Sequence, residues 1–248
     1  MPANKAAAQA TVLCRRKNSL AATLVAPSLV AALYDTLPGN QPVAFGNVIA
    51  IWQGTAVQWG EKPLTMQAII KNDQEGDQVV PFSATQPPYT VAYGTSASGT
   101  AYCATVLITA IGMPGSPFAS GLDLTFVGND SLVASFSTPE GNQPHAYENW
   151  LGLWDGKVAT YDRSNQIKRV SIDPNVSSDY QFMNDLTLTI DTVYTLGYGC
   201  GPKDTDLAAT LTFKTESFLL SLRKFLQKND LQSTKTRQLL RKLLQREE

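Results

Sequence analysis

The sequence has little of what builds metal sites and disulfide frameworks. Its 248 residues include three cysteines, Cys14, Cys103 and Cys200, and one histidine, His145. The cysteines are odd in number, far apart and without a C-x-x-C pair, which argues against a disulfide scaffold and a thiolate zinc site. One histidine cannot supply a multi-histidine metal centre within one chain. We therefore expect no metal and no cofactor.

Charge is also scarce. Charged residues make up 17% of the chain, and 20 Lys+Arg against 21 Asp+Glu give a net charge of −1. This balance excludes a globally basic nucleic-acid binder, so nucleic acid could be contacted only through a local basic arm or tail. No apolar run is long enough to cross a bilayer. The 43% of apolar residues is nevertheless enough for packed cores.

The N-terminal region has the appearance of a signal peptide. Arg15, Arg16 and Lys17 precede an apolar stretch over 20–33. Pro27 interrupts that stretch, and a similar stretch recurs in the middle of the chain, where no signal could act. We therefore predict a strand here, and a cytoplasmic protein with reduced cysteines.

An internal repeat organises the chain, and repeats of this kind decide the fold. Six blocks recur in the same order, with an offset that drifts from 102 to 105 residues. The matching blocks are 20–25 with 122–127, 28–31 with 131–134, 39–42 with 141–144, 47–54 with 149–156, 89–94 with 194–199, and 104–105 with 209–210. The repeat predicts two homologous modules.

Each module has the pattern of an all-β unit, because short runs of Val, Ile, Leu, Thr and aromatics are separated by Gly, Pro, Asn and Asp. In the second module we expect strands at 122–127, 131–136, 149–154, 157–161, 167–172, 186–190, 193–198 and 207–213. This number of short strands is typical of an immunoglobulin-like β-sandwich. The segment Asn-Trp-Leu-Gly-Leu-Trp over 149–154 resembles the strand-C region of fibronectin-like sandwiches such as SKICH-type modules. The resemblance implies no function.

The predicted fold is mainly β, with two tandem immunoglobulin-like sandwiches followed by an amphipathic helical tail. The expected boundaries are an N-terminal arm over 1–17, module one over 18–112, a linker over 113–119, module two over 120–214 and the tail over 215–248. Proline and glycine in the linker predict an irregular segment.

The tail has a different composition, rich in Leu, Lys, Arg and Gln, which favour helix. Its apolar positions follow helical spacing at both ends of the tail. The candidate assembly residues are Leu219, Leu222, Leu226, Leu240 and Leu243. The tail could pack on its own sandwich or join copies through helix bundling as in a coiled coil. Contact with a membrane surface is not expected, and RNA or an acidic partner is a further alternative.

No catalytic constellation is apparent, so we expect a protein that is not an enzyme. His145 follows a turn and has no nucleophile in an identifiable motif beside it. Asp73, Glu75 and Asp77 are typical of a solvated turn, since the calcium-loop pattern is absent. No phosphate-binding glycine fingerprint is present. An enzyme built on carboxylates alone would need a converging acid pair, which the sequence does not show.

Two functional classes therefore remain. The first is a non-enzymatic structural protein that self-assembles into a homo-oligomer, filament, shell or lattice through module edges and the C-terminal helix. The alternative is a carbohydrate- or protein-binding module, such as a lectin, adhesin or toxin-like protein, with two equivalent loop sites. Those sites would lie in the repeated Gly-Asn-Gln-Pro loops, at Asn40 and Gln41 and at Asn142 and Gln143.

Overall fold

The protein is mainly β, as predicted. The computed structural model describes residues 9–83 and 86–216. The strands are β1 (Gln9–Lys17), β2 (Ser19–Ala26), β3 (Leu29–Asp35), β4 (Val48–Gln53), β5 (Thr65–Ala68), β6 (Glu75–Pro81), β7 (Tyr89–Gly94), β8 (Tyr102–Ile108), β9 (Ser116–Ala119), β10 (Gly121–Val127), β11 (Leu132–Ser137), β12 (Trp150–Asp155), β13 (Lys168–Ser171), β14 (Ser178–Met183), β15 (Val193–Gly199) and β16 (Leu207–Glu216). A four-residue helix, α1 (Pro42–Phe45), and a 3-10 turn at Arg163–Asn165 complete this part of the chain.

The strands form four antiparallel sheets in two similar pairs. One pair has the orders β2-β3-β6 and β5-β4-β7-β8-β9, and the other has β10-β11-β14 and β13-β12-β15-β16-β1. In each pair the small sheet packs on the large one: β2 contacts β7, β8 and β9, while β10 contacts β1 and β16. This is a β-sandwich arrangement. We refer to β2 to β8 as the first half and to β10 to β16 as the second half.

The sandwich core follows from the alternation of side chains along each strand. In β3, Val30, Ala32 and Tyr34 are buried while Leu33 is exposed, as expected when one face of a sheet is covered. The central strands β4 and β12 are buried on both faces, apart from their last residues. Their second face is covered by loops, since Val57 packs on β4 and Ala159 packs on β12.

The two halves exchange a strand. β9 directly precedes the second half yet pairs with β8 of the first half, and β1 directly precedes the first half yet pairs with β16 of the second half. The chain turns out of each exchanged strand at one buried residue, Asn18 after β1 and Ser120 after β9. The segment predicted as an irregular linker therefore contains a strand, and so does the predicted N-terminal arm.

Several predicted strand positions were wrong. Residues 157–161 and 186–190 form no strand, while β14 was not predicted and β16 continues two residues beyond the predicted end of module two. The sequence match of Val30 with Val133 is also shifted by one residue. Val30 and Leu132 are both buried, so these two positions are structurally equivalent. A shift of one residue in a strand moves a side chain to the opposite face.

Candidate interaction surfaces

The two halves contact each other through a pair of reciprocal aromatic contacts. In the first half, Trp59 donates a hydrogen bond from Nε1 to the carbonyl oxygen of Glu140 at 2.8 Å. In the second half, Tyr161 donates from its hydroxyl to the carbonyl oxygen of Leu37 at 3.4 Å. Each ring also contacts a ring of the other half: Trp59 stacks on Tyr147, with centroids 5.4 Å apart, and Tyr161 lies 5.0 Å from Phe45. The junction is therefore approximately symmetric.

A buried polar cluster lies between the halves. The Thr95 hydroxyl donates to Oδ1 of Asp206 at 3.0 Å and lies 3.4 Å from the Cys200 thiol. The backbone N–H of Lys203 donates to the other carboxylate oxygen of Asp206 at 2.9 Å. Burial raises the pKa of Asp206, and these hydrogen bonds oppose that shift. Thr95 and Cys200 occupy equivalent places after β7 and β15, so equivalent positions meet here.

The repeated Gly-Asn-Gln-Pro loops lie at this junction. Asn40 and Asn142 are buried, and the Asn40 amide donates to Oδ1 of Asn47 at 2.9 Å. Gln41 and Gln143 are exposed. The four predicted loop residues are thus divided: two belong to the interior, and two remain accessible to a ligand.

The loop glycines explain why these turns fit against the opposite half. Gly39 has φ of 84° and Gly141 has φ of 78°, in the left-handed region that favours glycine. A Cβ atom at Gly39 would lie 3.5 Å from Tyr161, and one at Gly141 would lie 3.0 Å from Trp59. The repeated glycine therefore serves backbone conformation and close packing rather than ligand binding.

Strand β1 offers an edge for pairing with another chain. It pairs with β16 on one side, and in the described part of the chain no strand pairs with its other side. At nine residues it is longer than the other outer strands of the large sheets, β5, β9 and β13, which have four residues each. Cys14 is exposed on this strand, and Leu13 is 50% exposed. A long unpaired edge of this kind is a template for strand addition.

The predicted assembly residues of the tail lie outside the described residues. They are Leu219, Leu222, Leu226, Leu240 and Leu243. The last described residue is Glu216, and its carboxylate accepts a hydrogen bond from the Thr11 hydroxyl of β1 at 2.8 Å. The end of β16 therefore lies beside the edge strand β1.

The predicted candidates for chemistry are not brought together. His145 Nδ1 lies 3.1 Å from the carbonyl oxygen of Ile172, at the chain turn before β12. Within residues 9–83 and 86–216 no group of three or more His, Cys, Asp or Glu is placed to hold a metal ion. No helix in these ranges is both long and apolar enough to cross a membrane.

The repeated aromatic residues belong to the core. Trp52 and Trp154 are 2% and 1% exposed, and both Tyr93 and Tyr198 are fully buried. Each tyrosine hydroxyl bonds to an asparagine that precedes a central strand: Tyr93 donates to Asn47 at 2.7 Å, and Asn149 donates to Tyr198. Burial raises the pKa of both tyrosines, so they stay neutral donors and acceptors.

Comparisons with known proteins identify no family. No protein-family model matches the chain, and no curated protein matches it. Among solved structures, three fibronectin domains (FN1–FN3) of chicken CNTN1 align at 11% identity over 81% of this chain and 67% of that chain, with a TM-score of 0.26. The receptor tyrosine kinase Torso aligns at 11% identity over 88% and 76%, with a TM-score of 0.20. Scores this low carry no conclusion about function.

Two features of the surface were missed at the level of sequence. The strand exchange has no local signature in β1, because β1 pairs with β16, whose residues lie about two hundred positions further along the chain, whereas β9 pairs with neighbouring β8. The apolar cleft beside Arg16 and Lys157 combines residues from both halves. The repeat alignment could have found the exchange only if the segments before each module had been compared as a pair.

Proposed function

We propose that the chain consists of two homologous immunoglobulin-like sandwich modules and acts as a non-enzymatic structural protein that self-assembles. The observation that carries this proposal is the exchange of β1 and β9. Within one chain, each half completes the large sheet of the other with a strand that precedes its own first strand. A fold that associates in this way can use the same kind of strand pairing between copies.

The edge of β1 and the tail are the surfaces proposed for contact between copies. β1 has nine residues, no strand of residues 9–83 and 86–216 pairs with its outer edge, and Glu216, the last described residue, lies beside it. The seam of Leu219, Leu222 and Leu226 would add a second contact through helix bundling. Heterologous contacts through these surfaces would give an open polymer, and isologous contacts would give a closed oligomer.

A reducing location such as the cytoplasm accords with this proposal. Cys103 and Cys200 are buried free thiols, and Cys14 is an exposed free thiol. An exposed thiol on an edge strand would form intermolecular disulfides in an oxidising compartment. The alternative binding-module function is not favoured by a specific observation, because Asn40 and Asn142 of the proposed loop sites are buried.

The experiment is to measure the mass and shape of the full chain by multi-angle light scattering and negative-stain microscopy. The comparison is with Leu222→Asp/Leu226→Asp and with a chain ending at Glu216, the last residue of β16. We expect a large regular assembly that both changes reduce to small soluble particles, with the near-UV circular dichroism of the Trp and Tyr residues unchanged, since all of them lie before residue 217. A monomeric full chain at all concentrations would overturn the proposal.

Cysteine crosslinking would locate the edge contact. If the open edge of β1 pairs with β1 of another copy, mild oxidation should join copies through Cys14 within the assembly. The Cys14→Ser variant is the matched control, and Cys14→Ser/Val176→Cys places a thiol on an exposed loop instead. Equal crosslinking through position 176 would remove β1 from the proposed interface.

A further inference from the structure

Two equivalent clefts open on the outer faces of the large sheets, one in each half. The second-half cleft has a volume of about 370 Å³ and lies between β1, β15, β16 and the Leu37-Pro38 turn of the first half. The first-half cleft has a volume of about 400 Å³ and lies between β9, β7, β8 and the Pro139-Glu140 turn of the second half. Both volumes are in the range of small-molecule sites.

We propose that the second-half cleft binds a small amphipathic carboxylate. Its apolar body would lie on the floor of the cleft, and its carboxylate would be bound by Arg16 and Lys157. The first-half cleft has no cation in its lining, and two further clefts, beside Lys17 and beside Lys71, have one each, so none of the three combines apolar walls with two cations.

The floor of the cleft suits an apolar body. Leu37, Ala159 and Leu207 are buried there. The hydroxyls of Thr195 and Thr212 also line it, but both are engaged within the protein. Thr195 donates to the carbonyl oxygen of Gly156 at 2.9 Å, and the two threonine oxygens lie 3.2 Å apart. A sugar would find few free hydrogen-bonding groups here, whereas a hydrocarbon would be removed from water.

The mouth of the cleft suits a carboxylate. Arg16 and Lys157 line it and are exposed. Among the described residues, neither cation has a carboxylate within ion-pair distance, whereas neighbouring Arg15 is 2.6 Å from Asp123. Two exposed apolar side chains, Leu13 at 50% and Val158 at 60%, lie beside these cations. The mouth thus offers an apolar rim together with two unpaired positive charges.

Comparison with the first-half cleft separates the scaffold from the proposed site. Thr90 donates to the carbonyl oxygen of Gly54, as Thr195 does to Gly156, so this bond belongs to the fold. The cations are not shared. Phe118 pairs with Thr105 where Arg16 pairs with Thr210, and Thr55 follows Gly54 where Lys157 follows Gly156. The fold therefore does not require positive charge at these positions.

The tail of the same chain is a poor occupant for this cleft. Residues 217–248 contain eight Lys+Arg and three Asp+Glu, so they carry the same sign of charge as the mouth. The positive mouth of the cleft therefore attracts an external anion and repels the positively charged tail.

The test is calorimetric titration of the full-length chain with decanoate and decyltrimethylammonium below their micellar concentrations and with decanol below its solubility limit. We expect one decanoate per chain and weaker binding of the other two. The Arg16→Gln/Lys157→Gln variant should bind decanoate about three- to tenfold more weakly, because exposed ion pairs are individually modest. Arg15→Gln is the matched control and should leave decanoate affinity unchanged, with circular dichroism verifying the fold of each variant.

Three results would overturn the proposal. They are no decanoate binding by the full-length chain, decanol binding as tightly as decanoate, or equal loss of affinity in Arg15→Gln and in the double variant. Val158→Asp supplies an independent measurement, since it adds a negative charge at an exposed position of the rim. It should weaken decanoate at least as much as the double variant and leave decanol less affected.

Discussion

At the scale of single residues, glycine makes room for tryptophan on the outer face of the second half's large sheet. Trp150 and Trp154 lie there side by side, with ring centroids 6.2 Å apart. A Cβ atom at Gly152 would lie 2.8 Å from Trp154, and one at Gly197 would lie 2.7 Å from it. The first half has Ala50 and Ala92 at these places. The second half thus has smaller residues at the positions beside its two tryptophans than the first half has there, so that the face stays filled.

This packing predicts that Gly197→Ala destabilises the protein by about 1–3 kcal/mol, since the added methyl group overpacks a filled face. The measurement is urea denaturation followed by circular dichroism. Trp154→Phe in the same chain should recover part of the loss, because the smaller ring leaves space for the methyl group. Additive effects of the two substitutions would contradict the proposed contact.

Two aspartates should respond to pH in opposite directions. Burial raises the pKa of Asp206 above its ordinary value of 3.8, so the folded protein holds this proton more tightly than the unfolded chain. Its contribution to stability therefore falls as pH rises through the folded pKa. The Arg15 guanidinium lowers the pKa of Asp123, so the contribution of Asp123 is present above its ordinary pKa and is lost as pH falls through the folded value.

We therefore predict opposite pH slopes for Asp206→Asn and Asp123→Asn. The free energy of unfolding of the wild type, relative to Asp206→Asn, should decrease as the pH is raised above about 4. Relative to Asp123→Asn, it should decrease when the pH is lowered below about 4. Urea titrations at several pH values give both differences. Parallel slopes for the two variants would contradict the assignment.

At the scale of elements, alternation of apolar and polar residues predicts a strand only where the apolar residues lie on the buried face of the sheet. In β14 the pattern is inverted: Tyr180 and Phe182 are exposed while Gln181 is buried. This strand was therefore missed. Leu186 and Leu188 do alternate and are buried, yet their backbone N–H groups bond to the 129–130 turn rather than to a strand. A segment whose residues alternate in burial but which pairs with no strand is therefore predicted wrongly as a strand.

The sequence was most informative where burial and repetition coincide. The repeat matches residues 47–54 with 149–156, and the strands that lie there, β4 and β12, are equivalent and buried on both faces. The pairing of β1 with β16 and of β9 with β8 could not be inferred. The backbone N–H and C=O groups of either strand could form a ladder with either large sheet. The Arg16 and Lys157 cleft depends on that pairing, and so it was also beyond reach.

The strand exchange can be tested with a disulfide. Cys14 lies opposite Thr212 in the β1–β16 ladder, at a Cα separation that antiparallel pairing places within disulfide range. Oxidised Thr212→Cys should form a bond within one chain, detected as a monomer with altered mobility on non-reducing gels. Lys214→Cys is the matched control, since Lys214 lies opposite Thr11.

A covalent ladder from Thr212→Cys would have a different meaning. If it extends beyond the crosslinks that Cys14 alone forms in the parent chain, it would show that β1 pairs with β16 of another copy rather than its own, so that the exchange seen within one chain occurs between chains. Absence of any crosslink would contradict the register of β1 itself.

At the scale of the whole molecule, the halves are joined by more than a linker. The main buried core contains residues of both halves without interruption. The exchanged strands, the Thr95–Asp206 cluster and the reciprocal contacts of Trp59 and Tyr161 all cross the junction. Neither half is therefore complete without the other, and we do not expect the halves to move as independent domains.

This junction predicts a single cooperative unfolding transition for the described part of the chain. Calorimetric and van't Hoff enthalpies should agree, as they do for one folding unit. Removing both reciprocal rings in Trp59→Ala/Tyr161→Ala takes away two hydrogen bonds and two ring contacts between the halves, together with the Trp59–Tyr102 contact within the first half. We expect a loss of roughly 1–3 kcal/mol per substitution and a ratio of calorimetric to van't Hoff enthalpy above one, as the halves begin to unfold separately.

Trp52→Phe is the control for that experiment, because Trp52 is buried and its hydrogen bond to Glu61 and its ring contact with Tyr102 both lie within the first half. It should lower the transition temperature while the two enthalpies stay equal, since it weakens one half without releasing the other. If the double variant behaved in the same way, the strand exchange alone would suffice to couple the halves. The aromatic contacts would then contribute stability but not cooperativity. Two resolved transitions in the wild type would show instead that the exchanged strands transmit little of that coupling.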